Sequence, residues 1–154
     1  MTGIRLSSRF DAHTSHTMPP VKVHYVDATG LEDLLATVRE ALAGHPHICF
    51  ACLFGSALEL AGFRDVDVAV WLTADADRFA DIDLASQLTR TLRLPVDVRR
   101  INDAPVSFLF HVFRGRLLVV RDEPLLAELI ERVAREYHDR APLLRRATRE
   151  AFAA

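Results

Sequence analysis

The chain has 154 residues, of which 50% are hydrophobic and 26% are charged, and its formal net charge at pH 7 is −2. This length fits one domain that buries its own core, and this composition excludes a wholly disordered, collagenous or disulfide-stapled protein. A near-neutral charge is not typical of a dedicated nucleic-acid binder, and no apolar run reaches the ~20 residues of a membrane span. We therefore expect a single domain in the bacterial cytoplasm that acts directly on neither a membrane nor a nucleic acid.

The first twenty residues are rich in Ser, Thr and His and show no hydrophobic periodicity. They predict a disordered tail over residues 1–20, which leaves residues 21–154 for the folded domain. The tail also lacks the apolar core of a signal peptide. Met18 is a second candidate start, and His13 and His16 are not expected to form a metal site because a mobile tail rarely holds one.

From residue 29 onward, helical periodicity alternates with short apolar runs. Thr29 and Glu32 match a capping box and predict the start of the first helix, which ends at Gly44. The later predicted elements are strands at 48–54 and 65–72, a helix at 76–92, a strand at 96–101, a short helix capped by Asn102 or Asp103 with Pro105 in its first turn, a strand at 117–120, and a helix from 123 to the end with a candidate break at 140–142. The pattern predicts an α/β fold, with a small mixed sheet of about four strands, flanking helices and a helical C-terminus.

Two aspartates begin the second predicted strand. Asp65 and Asp67 are two residues apart and therefore share one face of that strand. Such close carboxylates repel each other unless a cation lies between them, and hard cations such as Mg²⁺ prefer oxygen ligands. Asp97, in the third strand, joins them if the two strands are neighbours. The alternative interpretation is three solvated strand charges.

Gly55 and Ser56 end the first predicted strand, and eight residues separate Ser56 from Asp65. A glycine lets the backbone approach a ligand closely, and backbone amides together with a hydroxyl group can hold phosphate oxygens. With the aspartates, these residues predict a metal-bound triphosphate site, and the alternative is a chance Gly-Ser turn.

Gly55-Ser56, Asp65-Val-Asp67 and Val96-Asp97-Val98, in this order and spacing, resemble the minimal nucleotidyltransferase family of the DNA polymerase β superfamily. The segments 102–122 and 135–146 are also similar to that family, so the resemblance covers about residues 30–152. It implies a polymerase-β-like nucleotidyltransferase fold. It also implies that Asp65, Asp67 and Asp97 are the catalytic residues and hold two Mg²⁺ ions.

The resemblance implies a reaction and a partner as well. Gly55 and Ser56 would hold the β- and γ-phosphates of ATP, and Asp97 would help to activate the hydroxyl group that accepts AMP. The loop lacks the early arginine of the family, and Arg64 is the candidate to supply that charge to the nucleotide. Members of the family commonly pair with a HEPN-domain toxin, which implies that this chain is an antitoxin that modifies a toxin tyrosine, within a homo- or hetero-oligomer.

Two other functions stay open on the sequence alone. One is a non-catalytic binding module that neutralises its partner by occlusion, and the other is a small-molecule nucleotidyltransferase. The length favours an acceptor carried by another protein, because a catalytic core fills the chain and leaves no room for an acceptor-binding domain.

Two weaker signals complete the sequence. Cys49 and Cys52 have redox-motif spacing but fall within a predicted strand, so we expect them to be buried and inert. Arg99 and Arg100 follow Asp97, and one of the two is expected to face the triphosphate.

Overall fold

The computed structural model describes residues 4–10, 21–59 and 61–152. Within these ranges the elements are, in chain order, β1 (Ser7–Phe10), β2 (Lys22–Tyr25), α1 (Ala28–Ala43), β3 (Ile48–Phe54), a short 3-10 helix (Ser56–Leu58), β4 (Val66–Leu72), α2 (Ala80–Leu92), β5 (Val96–Arg100), α3 (Val106–Phe113), β6 (Arg116–Val120) and α4 (Glu123–Phe152). No helix in the described part of the chain is long and apolar enough to cross a membrane.

Four strands form a central mixed sheet in the order β5–β4–β3–β6. β4 runs parallel to β5, whereas β3 pairs antiparallel with both β4 and β6. The predicted α/β fold, with a mixed sheet of about four strands, flanking helices and a helical C-terminus, is confirmed. The apolar runs that predicted these strands are long enough to be buried on both faces, as β3 is.

The sheet has two faces with separate cores. On the face that we call the closed face, the strands pack with α1 and α2, and on the face that we call the open face they pack with α3 and α4. The closed-face core includes Leu34, Leu35, Val38, Val66, Val68, Val70, Leu84 and Leu88. The open-face core includes Phe50, Phe54, Ala69, Ile101, Leu109, Leu126 and Leu129. Burying one such leucine side chain contributes about 1.5–3 kcal/mol, so each core supports the sheet substantially.

The N-cap of the first helix lies two residues before the predicted one. Asp27, and not Thr29, is the N-cap of α1, because the Asp27 side chain accepts a hydrogen bond from the Gly30 N–H at 2.7 Å. Thr29 then lies inside the first turn of the helix. Both residue types are good caps, and the structure uses the aspartate.

The start of α3 also differs from the prediction. Pro105 is the N-cap of α3, which begins at Val106, whereas Asn102 was a predicted cap. The Asn102 amide instead closes the end of the sheet, since its oxygen accepts from the Leu72 N–H at 3.1 Å and its nitrogen donates to the Leu72 carbonyl at 2.8 Å. Asn102 thus pairs with the backbone N–H and C=O groups at the end of β4, and not with the backbone N–H groups at the start of α3 as predicted.

Two other helices differ in extent. α2 begins at Ala80, four residues later than predicted, because a turn in which the Phe79 N–H donates to the Asp77 side chain precedes it. α4 is one helix from Glu123 to Phe152, without the candidate break at 140–142.

The structure differs from the predicted disordered tail at Ser7–Phe10, which form β1. β1 pairs antiparallel with β2, and Ile4 and Leu6 pack against the closed-face core. Backbone pairing of this kind needs no hydrophobic periodicity, which is why the sequence pattern missed it. Residues 11–20, which include His13 and His16, lie outside the described residues.

The N-terminal strand pair also contacts the loop that follows the 3-10 helix. The His24 N–H donates to the Phe63 carbonyl at 2.7 Å, and the Phe63 N–H donates to the His24 carbonyl at 2.9 Å. Phe63 directly precedes Arg64 and Asp65, so β2 fixes the backbone just before the predicted site.

Candidate active site

The parallel pairing of β4 and β5 brings two of the predicted aspartates together. Asp67 and Asp97 are direct partners in the register of these strands, and neighbouring strands lie about 4.8 Å apart. Both side chains are half-buried and lie on the open face. Asp65 lies on the exposed backbone immediately before β4. The condition set by the sequence, that the two strands be neighbours, is therefore met.

Asp67 is in an unfavourable electrostatic environment. Burial, followed by the neighbouring Asp65 and Asp97 carboxylates, raises the pKa of Asp67 from 3.8 to about 6, while Arg99 and His111 act in the opposite direction. Each of the raising causes disfavours the charged carboxylate. A bound cation would reverse this effect, because it would stabilise the ionised form of all three carboxylates.

Gly55 lies directly against the Asp67 carboxylate. Its φ is +83°, a region that side chains rarely adopt, and a Cβ atom at this position would collide with Asp67 Oδ2. A glycine is therefore required here both by the backbone conformation and by the space that Asp67 occupies. Ser56 follows it and begins the 3-10 helix, so the predicted Gly-Ser pair and Asp67 meet at one point.

A cleft of about 230 Å³ opens beside Gly55. Its apolar walls are Phe54 and Leu58, and its polar walls include His111 and Arg114 from the end of α3. The His111 ring meets the Phe54 ring edge to face, with 5.6 Å between the ring centroids. The cleft thus combines an aromatic wall with positively charged or titratable groups, next to the predicted phosphate-binding residues.

The two arginines after Asp97 have different surroundings. The Arg99 Nε donates to Asp97 Oδ2 at 2.9 Å, on the open face. The Arg100 guanidinium donates to the backbone carbonyl of Asp77, before α2. Of the pair, Arg99 is thus the one that lies at the carboxylates.

Arg64, the remaining predicted residue, is exposed and directly precedes Asp65. It lies close in sequence to the carboxylates, and its role toward a nucleotide stays a prediction.

The donor set fits a hard divalent cation. Asp67 and Asp97 supply carboxylate oxygens from two paired strands, and Asp65 supplies one from the residue before β4. Burial and then the two neighbouring carboxylates raise the pKa of Asp67, which is the environment that a cation would relieve. Among the described residues, no three acidic, histidine or cysteine side chains are yet close enough to hold an ion together. The Asp97 carboxylate is engaged by the Arg99 guanidinium instead.

Three residues at the site were missed by sequence reasoning. Glu59, His111 and Arg114 line the cleft, although the sequence predicted both α3, which carries His111, and the loop that carries Glu59. The helical pattern of α3 gives no information on how α3 packs across the sheet, so the sequence contained no signal for them.

The cysteines are not part of this site. Cys52 is buried, and burial raises its pKa to about 12, while burial also raises the pKa of the half-buried Cys49. Both thiols are therefore poor nucleophiles, and the predicted burial is confirmed for Cys52 but not for Cys49.

A family model described as Polymerase beta, Nucleotidyltransferase matches residues 36–124, which is more than half of the chain. No curated protein matches the chain. The matched segment contains all six predicted site residues.

Solved structures share the fold. A chain of the MntA–HepT toxin–antitoxin crystal structure is 21% identical, with 76% of this chain covering 98% of that one at a TM-score of 0.54. A chain of a Shewanella oneidensis complex, in which a tri-AMPylated HEPN toxin is bound to an MNT antitoxin, is 21% identical over 80% of this chain and 99% of that one, with a TM-score of 0.58. A chain of a toxin–antitoxin structure with AMP-PNP is 22% identical over 74% and 98% of the two chains, with a TM-score of 0.57.

Proposed function

The chain belongs to the polymerase beta nucleotidyltransferase family, and from this premise we propose that it transfers AMP from ATP to a hydroxyl group of a HEPN-type toxin and so acts as the antitoxin of the pair. The observation that carries the proposal is the register of β4 and β5, which pairs Asp67 with Asp97 beside the Gly55 backbone. A cytoplasmic location is part of the same proposal.

Each site residue has a role in this reaction. Asp65, Asp67 and Asp97 would hold two Mg²⁺ ions, which when bound supply charge stabilisation for the attacking and leaving oxygens. Gly55 leaves room for Asp67, and with Ser56 it would orient the β- and γ-phosphates of ATP. Arg64 would add a positive charge near those phosphates.

The chemical step is a displacement at the α-phosphorus of ATP. Asp97 takes the proton of the acceptor hydroxyl, the oxygen forms a bond to the α-phosphorus, and the bond to pyrophosphate breaks. The acceptor gains AMP and pyrophosphate leaves, so no oxidant or further reactant is needed. Positioning of the two reactants and electrostatic stabilisation would supply most of the rate.

A protein acceptor is supported by size and by the relatives. Since this chain covers 98–99% of the matched antitoxin-complex chains, it is comparable to them in extent. One of those complexes contains a toxin that carries AMP groups, and another was solved with an ATP analogue. We propose a tyrosine hydroxyl as the acceptor here.

The test is transfer of label to the protein encoded beside this chain. The two purified proteins are incubated with Mg²⁺ and ATP labelled either at the α-phosphate or at the γ-phosphate. We expect the α-label, and not the γ-label, to become covalently attached to the partner. Asp67→Asn is expected to lower the transfer by about 10²–10³-fold, as loss of a charge-stabilising group does elsewhere.

Absence of α-label on the partner with the unaltered chain, under conditions where the two proteins form a complex, contradicts the proposed activity. Label from γ-labelled ATP would instead indicate phosphate transfer and would also contradict it.

A second candidate, neutralisation by occlusion alone, is favoured by the hydrogen bond from Arg99 to Asp97, which occupies a residue that the reaction needs. The two candidates differ in a growth assay with the toxin. If the Asp67→Asn chain still protects cells fully, occlusion is sufficient, and if protection is lost while the complex still forms, transfer is required.

A further inference from the structure

Arg99 places a fixed positive charge at the carboxylate cluster. Asp97 and Arg99 are two residues apart on β5 and so lie on the same face of the strand. The Arg99 Nε donates to Asp97 Oδ2 at 2.9 Å, and the guanidinium carbon lies 5.9 Å from the centre of the Phe108 ring in α3. The side chain therefore lies between Asp97 and the helix that borders the open face.

This charge is bound to a carboxylate that the metal ion would need. An oxygen that accepts a hydrogen bond from a guanidinium has one lone pair fewer for a cation, and the guanidinium charge repels a cation at the same carboxylate. Asp65 and Asp67 have no such contact among the hydrogen bonds and ion pairs of the described side chains, whereas Asp97 does. The direct contact is thus made at one of the three carboxylates, while the Arg99 charge acts on Asp67 only through space.

We propose that Arg99 competes with the divalent cation for Asp97, so that metal loading at this carboxylate requires displacement of the arginine. The inference rests on the proposed function, because it assumes that Asp97 is a metal ligand. It adds a regulatory property: Asp65 and Asp67 accept a cation directly, and the ion that uses Asp97 binds more weakly and later.

The size of the effect follows from exposure. The Arg99 side chain is 59% exposed and the Asp97 side chain 42%, so solvent screens the pair and its strength is modest. Removal of the guanidinium is therefore expected to tighten cation binding by about three- to tenfold rather than by orders of magnitude.

The experiment is a titration of the purified chain with Mn²⁺ alone, with free Mn²⁺ measured by electron paramagnetic resonance. We compare the unaltered chain with Arg99→Gln, which keeps a polar side chain of similar length. Arg90→Gln, on the exposed surface of α2 at the closed face, removes the same charge away from the site and is the control. Asp67→Asn shows whether the bound Mn²⁺ is at the carboxylates.

The inference is supported if Arg99→Gln binds Mn²⁺ three- to tenfold more tightly while Arg90→Gln binds it as the unaltered chain does. It is overturned if Arg99→Gln binds Mn²⁺ equally or more weakly, or if both arginine variants tighten binding alike. If Asp67→Asn does not weaken Mn²⁺ binding, the proposed metal site itself fails, and the inference fails with it.

Discussion

The closed and open faces of the central sheet are built from alternate residues of the same strands, but they differ in what they expose. On β4, Val66, Val68 and Val70 are fully buried at the closed face, whereas Asp67 between them is half-buried at the open face. A shift of one residue between β4 and β5 would bring the valines out of their core, so the closed face fixes the register. The position of the carboxylates is thus determined by packing on the side of the sheet that they do not touch.

The closed face contributes mainly to stability, and the open face holds the groups proposed to do the chemistry. The closed face contributes buried apolar area, while the open face holds a carboxylate whose charge is disfavoured in the folded chain. Substitutions on the closed face should therefore change the free energy of unfolding. Substitutions at the carboxylates should change function and leave stability equal or higher.

The largest effect on the free energy of unfolding is expected from Leu88→Ala in the closed-face core. Leu88 is 1% exposed, and its truncation should lower the free energy of unfolding by about 2–5 kcal/mol through lost burial and a cavity. Urea denaturation measures this change, and Ile82→Ala, at an exposed position of the same helix, is the control. The folded Leu88→Ala chain should still bind Mn²⁺ normally, and a tenfold weaker affinity would show that the closed face does more than fix the register.

An intermediate effect on the free energy of unfolding is expected from Gly55→Ala, where the end of β3 meets Asp67 on the open face. The positive φ and the collision with Asp67 should lower the free energy of unfolding by about 1–3 kcal/mol and weaken Mn²⁺ binding. Gly44→Ala is a matched control, because Gly44 ends α1 at a φ of −77° and a Cβ atom there meets nothing within 4 Å. Equal stabilities of the two variants in thermal denaturation would contradict the strained role of Gly55.

The smallest effect on the free energy of unfolding is expected from Asp67→Asn, and this effect depends on pH. Because the pKa of Asp67 is raised from 3.8 to about 6 in the folded chain, ionisation costs stability as the pH rises through this window. Without divalent cations, Asp67→Asn should be as stable as the unaltered chain near pH 4 and more stable above pH 6. After allowance for solvent screening, the gain is about 1–2 kcal/mol.

Denaturation at the two pH values measures this gain. Asp103→Asn, which removes an exposed carboxylate beyond the other end of β5, is the charge-matched control. A gain that is the same at both pH values would show that ionisation of Asp67 is not its cause.

Local patterns predicted the strands around the site. The apolar runs predicted β3 and β4, whereas the shared face of Asp65 and Asp67 stays a prediction because Asp65 lies before β4. The glycine before the 3-10 helix predicted a close backbone approach to a ligand, and in the structure its close neighbour is the Asp67 carboxylate. Each of these properties depends on a few consecutive residues, and so the sequence contains it.

Features that join distant segments were harder to predict. Asp97 lies beside Asp67 only because β5 is the neighbour of β4 in the sheet. The register of these two strands also determines that Arg99, and not Arg100, lies at the carboxylates. The place of His111 depends on how α3 packs across the sheet. The predicted cap of α1, Thr29, is wrong because two good capping residues lie within one turn and the folded backbone uses Asp27.

The pairing of β1 with β2 determines which strand edge is exposed beside the loop that leads to the site. A chain that lacks β1 keeps the hydrogen bonds between His24 and Phe63, but the edge of β2 that pairs with β1 then presents unpaired N–H and C=O groups. An unprotected edge of this kind pairs readily with a strand from another molecule. Removal of β1 would therefore transfer the exposed edge of this two-stranded sheet from β1 to the strand that holds the Phe63 backbone.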